Sequence, residues 1–85
     1  MNIQLRFFAS VREALGTSQE AVALPAEVKT VGDLRTHLRN RGGAWAETLA
    51  EGRSLRMAYN QVMASPDTPL ADGGEVAFFP PVTGG

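Results

Sequence analysis

The chain has 85 residues, 44% of them hydrophobic and 20% charged, and eight basic side chains against nine acidic ones leave a formal charge of −1. That is one domain, of a size that buries about 60 to 65% of its unfolded surface; the ordinary composition argues against disorder, and the near-neutral balance removes the electrostatic footprint of a nucleic-acid binder. The absence of cysteine excludes disulfides, thiolate metal ligands and cysteine nucleophiles, and with no signal-like start and no apolar run of membrane-spanning length the expectation is a cytoplasmic chain that meets neither nucleic acid nor membrane.

In chain order, "NIQLRFF" alternates polar and apolar residues up to Phe7, the period of a half-buried strand with Ile3, Leu5 and Phe7 inward. "SVREALGT" reads as one or two helical turns with Ser10 as candidate N-cap and Gly16 as the stop. "QEAVALP" resumes extended structure with Val22 and Leu24 inward, and Pro25 ends it. "TVGDLRTHLRNRGG" places Thr30 at an N-cap with Asp33 three residues on, a short-armed capping box, followed by Val31, Leu34 and Leu38 at helical spacing. Gly42-Gly43 is expected to stop that helix, and "AWAETLAEG" suits a shorter one with Trp45 and Leu49 as its apolar pair. "LRMAYNQ" alternates again, Met57 inward, and "VMAS" pairs with it across an Asn60-Gln61 turn. "SPDTPLADGG" has the composition of a loop, and "EVAFF" is the final strand, Val76 and Phe78 inward, before Pro80 removes a ladder donor. Strands, a main helix with an appendage, and strands again suit one mixed sheet crossed by a helix, an α+β arrangement that becomes the β-grasp of ubiquitin if the first and last strands pair in parallel at its centre. Residues 1–81 form the domain in this reading and 82–85 a flexible tail.

Conventional catalytic parts are scarce. His37 lies between Leu34 and Leu38 on the expected helix, where a solvated surface histidine is the ordinary reading; the four serines form no recognisable triad, and Glu13, Glu20 and Asp33 look like surface carboxylates that nothing converges on a pocket. The end of the chain, "FFPPVTGG", is more informative. Adjacent strand residues face opposite sides, so with Phe7 and Phe78 inward, Phe8 and Phe79 fall on the other face. If the two strands are neighbours, these rings form an exposed apolar patch beside the tail, unless a loop or the short helix covers them. Beyond Phe79, Pro80 and Pro81 stiffen the exit, Val82 and Thr83 favour extension, and Gly84-Gly85 carry no Cβ to obstruct a narrow channel. The alternative is ordinary fraying. A terminal carboxylate so presented can attack the α-phosphate of ATP to give an acyl-adenylate, and in a chain without cysteine any carried sulfur would sit on that carbon as a thiocarboxylate.

"RFFASVREALGT" near the start and "LADGGEVAFFPPVTGG" at the end closely resemble the small subunits of molybdopterin synthase, a family of ubiquitin-like sulfur carriers, and "AYNQ" is similar to that family's strand-and-turn segment except that Tyr59 stands where a small aliphatic residue is expected. The resemblance covers both ends well and the helical middle by pattern. It implies that an E1-like adenylating enzyme consumes ATP to activate the terminal glycine, that a sulfur donor converts it to a thiocarboxylate, and that the tail enters the large synthase subunit, usually in a two-plus-two heterotetramer. Two transfers to cyclic pyranopterin monophosphate then make the molybdopterin dithiolene. It further implies no permanently bound cofactor and a chain that is not catalytic alone. Residue by residue, Gly85 would bear the sulfur and Gly84 give clearance, while Phe8, Phe79 and Arg12 match partner-contacting positions, with Pro80, Pro81, Val82 and Thr83 lying along the inserted tail. Arg12 reads equally well as a solvated helix residue. Two other readings stand: a sulfur carrier for thiamine or another pathway, and a ubiquitin-like interaction or modifier domain without sulfur chemistry, which conjugation to lysines would reveal.

Overall fold

The computed structural model describes residues 1–81; Val82, Thr83, Gly84 and Gly85 of the expected tail lie outside the described residues. The elements run β1 (Asn2–Phe7), α1 (Ala9–Leu15), β2 (Gln19–Ala23), α2 (Val31–Arg39), α3 (Gly43–Thr48), β3 (Arg56–Tyr59), β4 (Val62–Ala64) and β5 (Glu75–Phe79). The strands form one mixed sheet in the order β2-β1-β5-β3-β4. β1 and β5 pair in parallel at its centre, with Leu5 beside Val76 and Phe7 beside Phe78, while β2 and β3 flank them antiparallel. This is the β-grasp expected from the element order.

The alternating apolar residues meet in one core. Ile3, Leu5, Phe7, Leu24, Leu34, Leu38, Leu49, Met57, Val76 and Phe78 are all buried, joined by Val11, Val28, Val31 and Leu70. Phe7 stacks on Phe78 at 6.0 Å between ring centroids and meets Trp45 edge-on at 5.5 Å, geometries that aromatic quadrupoles favour. Two expected core residues are only partly buried, each for a positional reason. Val22 lies on an edge strand, and Trp45 meets Phe7 edge-on while the Arg41 guanidinium, 4.4 Å from its ring, takes a further part of the indole.

Helix ends follow local chemistry with one correction. Thr30 caps α2, its hydroxyl accepting from the Asp33 N–H at 3.1 Å, and the Asp33 carboxylate reaches back to the Thr30 N–H at 3.2 Å, so the shortened capping box closes fully. The same carboxylate accepts from the Lys29 N–H at 3.0 Å; these bonds hold its pKa below the usual value, the Lys29 bond first. Ser10, in contrast, does not cap α1. The chain leaves β1 through Phe8 in extended geometry (φ −124°, ψ 153°), and the Phe8 carbonyl already accepts from Val11 and Arg12, so the helix begins one residue before Ser10. Gly16 ends α1 at φ 73°, a left-handed conformation that favours glycine. The Gly42-Gly43 pair lies past the end of α2, whose own C-cap is Asn40; Gly42 serves as the N-cap of α3.

The β3–β4 hairpin turns at Asn60 and Gln61, both with positive φ (49° and 68°) as a two-residue primed turn requires. Tyr59, the departure from the family pattern, is satisfied: its hydroxyl accepts from the Ala71 N–H at 2.8 Å. The loop between β4 and β5 also completes the start of α2, with Val31 N–H donating to Thr68 C=O and Gly32 N–H to Pro66 C=O, each at 2.9 Å. These two donors would otherwise be orphaned in the first turn of a helix.

Candidate functional site

Parallel pairing of β1 and β5 brings the end of the first strand and the root of the tail to the same edge of the molecule. Phe8 follows β1 and donates its N–H to the Phe78 carbonyl at 3.2 Å. With Phe7 at 1% exposure and Phe78 fully buried, strand alternation turns Phe8 and Phe79 to the opposite face. Phe8 is 42% exposed, so neither loop nor short helix covers it, and Phe79 is half-buried.

The register extends this face across the sheet. Arg6 pairs with Ala77, Ala77 with Ala58, and Ala58 with Met63, which is 61% exposed. Phe8, Phe79, Ala58 and Met63 thus outline an apolar surface over Ala77 on the side of the sheet away from the core. Its flanks are basic. The Arg6 guanidinium lies 5.5 Å from the Phe8 ring centroid and 3.9 Å from Glu75, and exposed Arg56 stands opposite Phe79 in the β3–β5 ladder. An apolar centre with a polar rim is the anatomy of a protein-binding surface. Sequence reasoning missed Met63 and Arg56, because their place beside Phe79 follows from strand order.

Pro80 and Pro81 continue half-buried from the end of β5, and with no N–H to offer they end the ladder at Phe79. The chain therefore leaves from the middle of the sheet edge, between the Phe8 end of β1 and the Arg56 end of β3. Arg12 is exposed on α1, its backbone N–H donating to the Phe8 carbonyl at 3.3 Å. That anchors its helix turn beside the site. Val82, Thr83, Gly84 and Gly85 lie outside the described residues.

The described residues assemble little else of chemical note. No group of three or more His, Asp or Glu side chains among them could hold a metal ion, and no helix among them is long and apolar enough to cross a membrane. His37 is half-buried on α2, less solvated than expected. Glu20 is occupied by Arg41, which donates to its Oε1 from Nη1 at 3.0 Å, and hydrogen bonding to this guanidinium holds the Glu20 carboxyl below its usual range against the opposing effect of burial.

Residues 5–85 match the ThiS family. The chain is 51% identical to the molybdopterin synthase sulfur carrier subunit of Escherichia coli, over 98% of this chain and 99% of that one. It is 39% identical to the protein of the same name from Haemophilus influenzae, with the same coverage. Among solved structures, that of SAMP1 from Haloferax volcanii superposes with a TM-score of 0.80 at 27% identity, each chain covered completely. The family model spans nearly the whole chain, including the strands and helices that place Phe8 and Phe79 together, and the chain belongs to the ThiS family.

Proposed function

We propose that this chain is the sulfur carrier subunit of a molybdopterin synthase. The observation that carries the reading is the exit of a proline-stiffened tail beside an exposed aromatic face, in a chain 51% identical to a sulfur carrier subunit of that synthase. In the first step the Gly85 carboxylate attacks the α-phosphate of ATP in an E1-like adenylating enzyme, releasing pyrophosphate and leaving an acyl-adenylate. Sulfide-level sulfur (HS−) delivered by a donor protein attacks the acyl carbon and AMP departs, so that Gly85 ends in a thiocarboxylate. The tail then enters the large synthase subunit, where the sulfur passes to cyclic pyranopterin monophosphate and, with a second transfer, completes the dithiolene of molybdopterin.

Each residue's part follows from its chemistry. Gly85 presents the least hindered acyl carbon, Gly84 brings no Cβ to obstruct a narrow channel, and the β-branched Val82 and Thr83 are residue types that favour extension. Pro80 and Pro81 limit the conformations lost when the tail is threaded. Phe8 and Phe79 dock the domain, as aromatic anchors dominate the binding energy of such interfaces, and both the adenylating enzyme and the large subunit have to reach the same tail root, so they bind in turn. ATP is consumed by the activating enzyme and no cofactor stays on the carrier. The test is the intact mass of the chain after incubation with ATP, a sulfur source and the cognate adenylating enzyme. A gain matching one oxygen replaced by sulfur, confined to a C-terminal peptide, is expected; an unchanged mass with an active enzyme overturns the reading.

A further inference from the structure

A cavity of about 270 Å³ opens on the other side of the tail root from the aromatic face, lined by Ser10, Val11, Thr48, Arg53, Ser54 and Pro80 among others. Its chemistry differs from that of the apolar sheet surface. Three hydroxyl-bearing residues border it, and among the described residues none of the Ser10, Thr48 or Ser54 hydroxyls makes a side-chain hydrogen bond. The Arg53 guanidinium is held only loosely, 3.8 Å from Glu47, in a pair whose side chains are 59% and 78% exposed; such a pair contributes little.

The wall bearing these groups is fixed. Arg35 reaches across from α2, donating from Nε to the Leu49 carbonyl at 2.8 Å and from Nη2 to the carbonyls of Ala50 and Arg53. The Arg53 carbonyl also accepts from Leu55 N–H at 2.9 Å. The segment from 49 to 55 is therefore tied to the core helix, and Pro80 closes the cavity from the tail side.

We propose that this cavity receives a carboxylate side chain from the protein that encloses the tail. The inference rests on the reading of the chain as a tail-presenting sulfur carrier. A guanidinium with no strong partner among the described residues and three hydroxyl-bearing residues lining the same cavity as Pro80 call for an acceptor that is anionic and small, and the volume admits one Asp or Glu side chain with room for water. Because the cavity and the Phe8–Phe79 face lie on opposite sides of Pro80, a partner holding both grips the tail root from two directions and fixes the direction in which it leaves. The apolar face alone does not determine that direction.

The test uses the full chain and its cognate large synthase subunit. Arg53→Glu should keep the circular dichroism and thermal midpoint of the wild type and weaken binding roughly tenfold at low salt, with the deficit shrinking as salt rises. Arg53→Lys should retain most of the affinity. In its complex, a water-soluble carbodiimide should join the new side-chain amine to an Asp or Glu of the partner, the amide forming as the carboxyl oxygen leaves in the urea by-product; peptide mass spectrometry then maps the link to position 53. Equal binding of wild type and Arg53→Glu overturns the proposal, and so does the lack of a cross-link at position 53 in a formed complex. Failure of the wild-type chain to bind the large subunit at all would instead defeat the carrier reading, and this inference with it.

Discussion

The contact between Tyr59 and Gly74 makes a sharp prediction. A Cβ on Gly74 would fall 2.6 Å from Tyr59 Cε1 and 2.7 Å from its hydroxyl oxygen, distances that real Cβ atoms essentially never show. The Gly74 backbone cannot easily retreat: its carbonyl accepts from Gln4 N–H at 2.9 Å and its N–H donates to the Ala71 carbonyl at 3.0 Å. In Gly74→Ala the tyrosine ring must therefore swing away, giving up its 2.8 Å bond from the Ala71 N–H. A lost hydrogen bond costs about 1 kcal/mol net and overpacking typically about 1 to 3 kcal/mol, so a destabilisation of about 2 to 4 kcal/mol is expected. For a domain of this size that lowers the thermal midpoint by roughly 8 to 32 °C. Urea denaturation of the four proteins in a double-mutant cycle with Tyr59→Val measures the coupling. Removing the ring should relieve the clash, so the double variant should be at least about 1 kcal/mol more stable than the two single changes sum to. Additivity within about 0.5 kcal/mol would refute the argument, since the cost of Gly74→Ala would then not pass through Tyr59.

Other expectations follow from the same geometry. Leu34→Ala and Phe78→Ala each empty a fully buried site and should cost about 2 to 5 kcal/mol in chemical denaturation. Thr30→Ala removes the hydroxyl that accepts from Asp33 and should cost about 1 kcal/mol with the binding face unchanged. Phe8→Ala should leave the fold nearly intact, because the ring is exposed, and weaken binding to the large subunit by about 1 to 3 kcal/mol in calorimetry; normal binding would remove Phe8 from the docking surface. The Glu20 carboxyl is held below its ordinary value of 4.5 by Arg41. Its contribution to stability is therefore complete above that value and disappears as pH falls through the lower folded-state pKa. Glu20→Gln should flatten the acid limb by lowering stability slightly at neutral pH, with the two proteins converging in acid where Glu20 is protonated. Deleting Gly85 would draw the reactive carbon back by about 3.3 to 3.6 Å, so sulfur transfer should collapse with no change in thermal midpoint; normal molybdopterin formation by that variant would contradict Gly85 as the sulfur-bearing residue.

What the sequence determined by itself is local and periodic. The two-residue alternation of Ile3, Leu5 and Phe7 and of Val76 and Phe78 selects which ring of each Phe-Phe pair enters the core, because strand geometry forces neighbours to opposite faces. Thr30 and Asp33 mark the start of α2 since their capping bonds need only three residues of chain, and Asn60-Gln61 marks a turn for the same reason. Residues whose role depends on distant partners were less legible. Val11, Val28 and Leu70 lie in short or irregular segments without a sustained period, and become core only because the fold closes over them. Ser10 reads as a cap from its type alone, but the extended exit through Phe8 starts the helix earlier. Val22 and Trp45 have core-like character, yet an edge strand and a peripheral helix leave each partly open. Strand order is what brings Met63 and Arg56 onto the face of Phe79, and the reach of Arg35 to the carbonyls of Leu49 and Ala50 is what builds a wall beside Pro80. Both join residues far apart in the chain, where no local pattern has a reason to record the meeting.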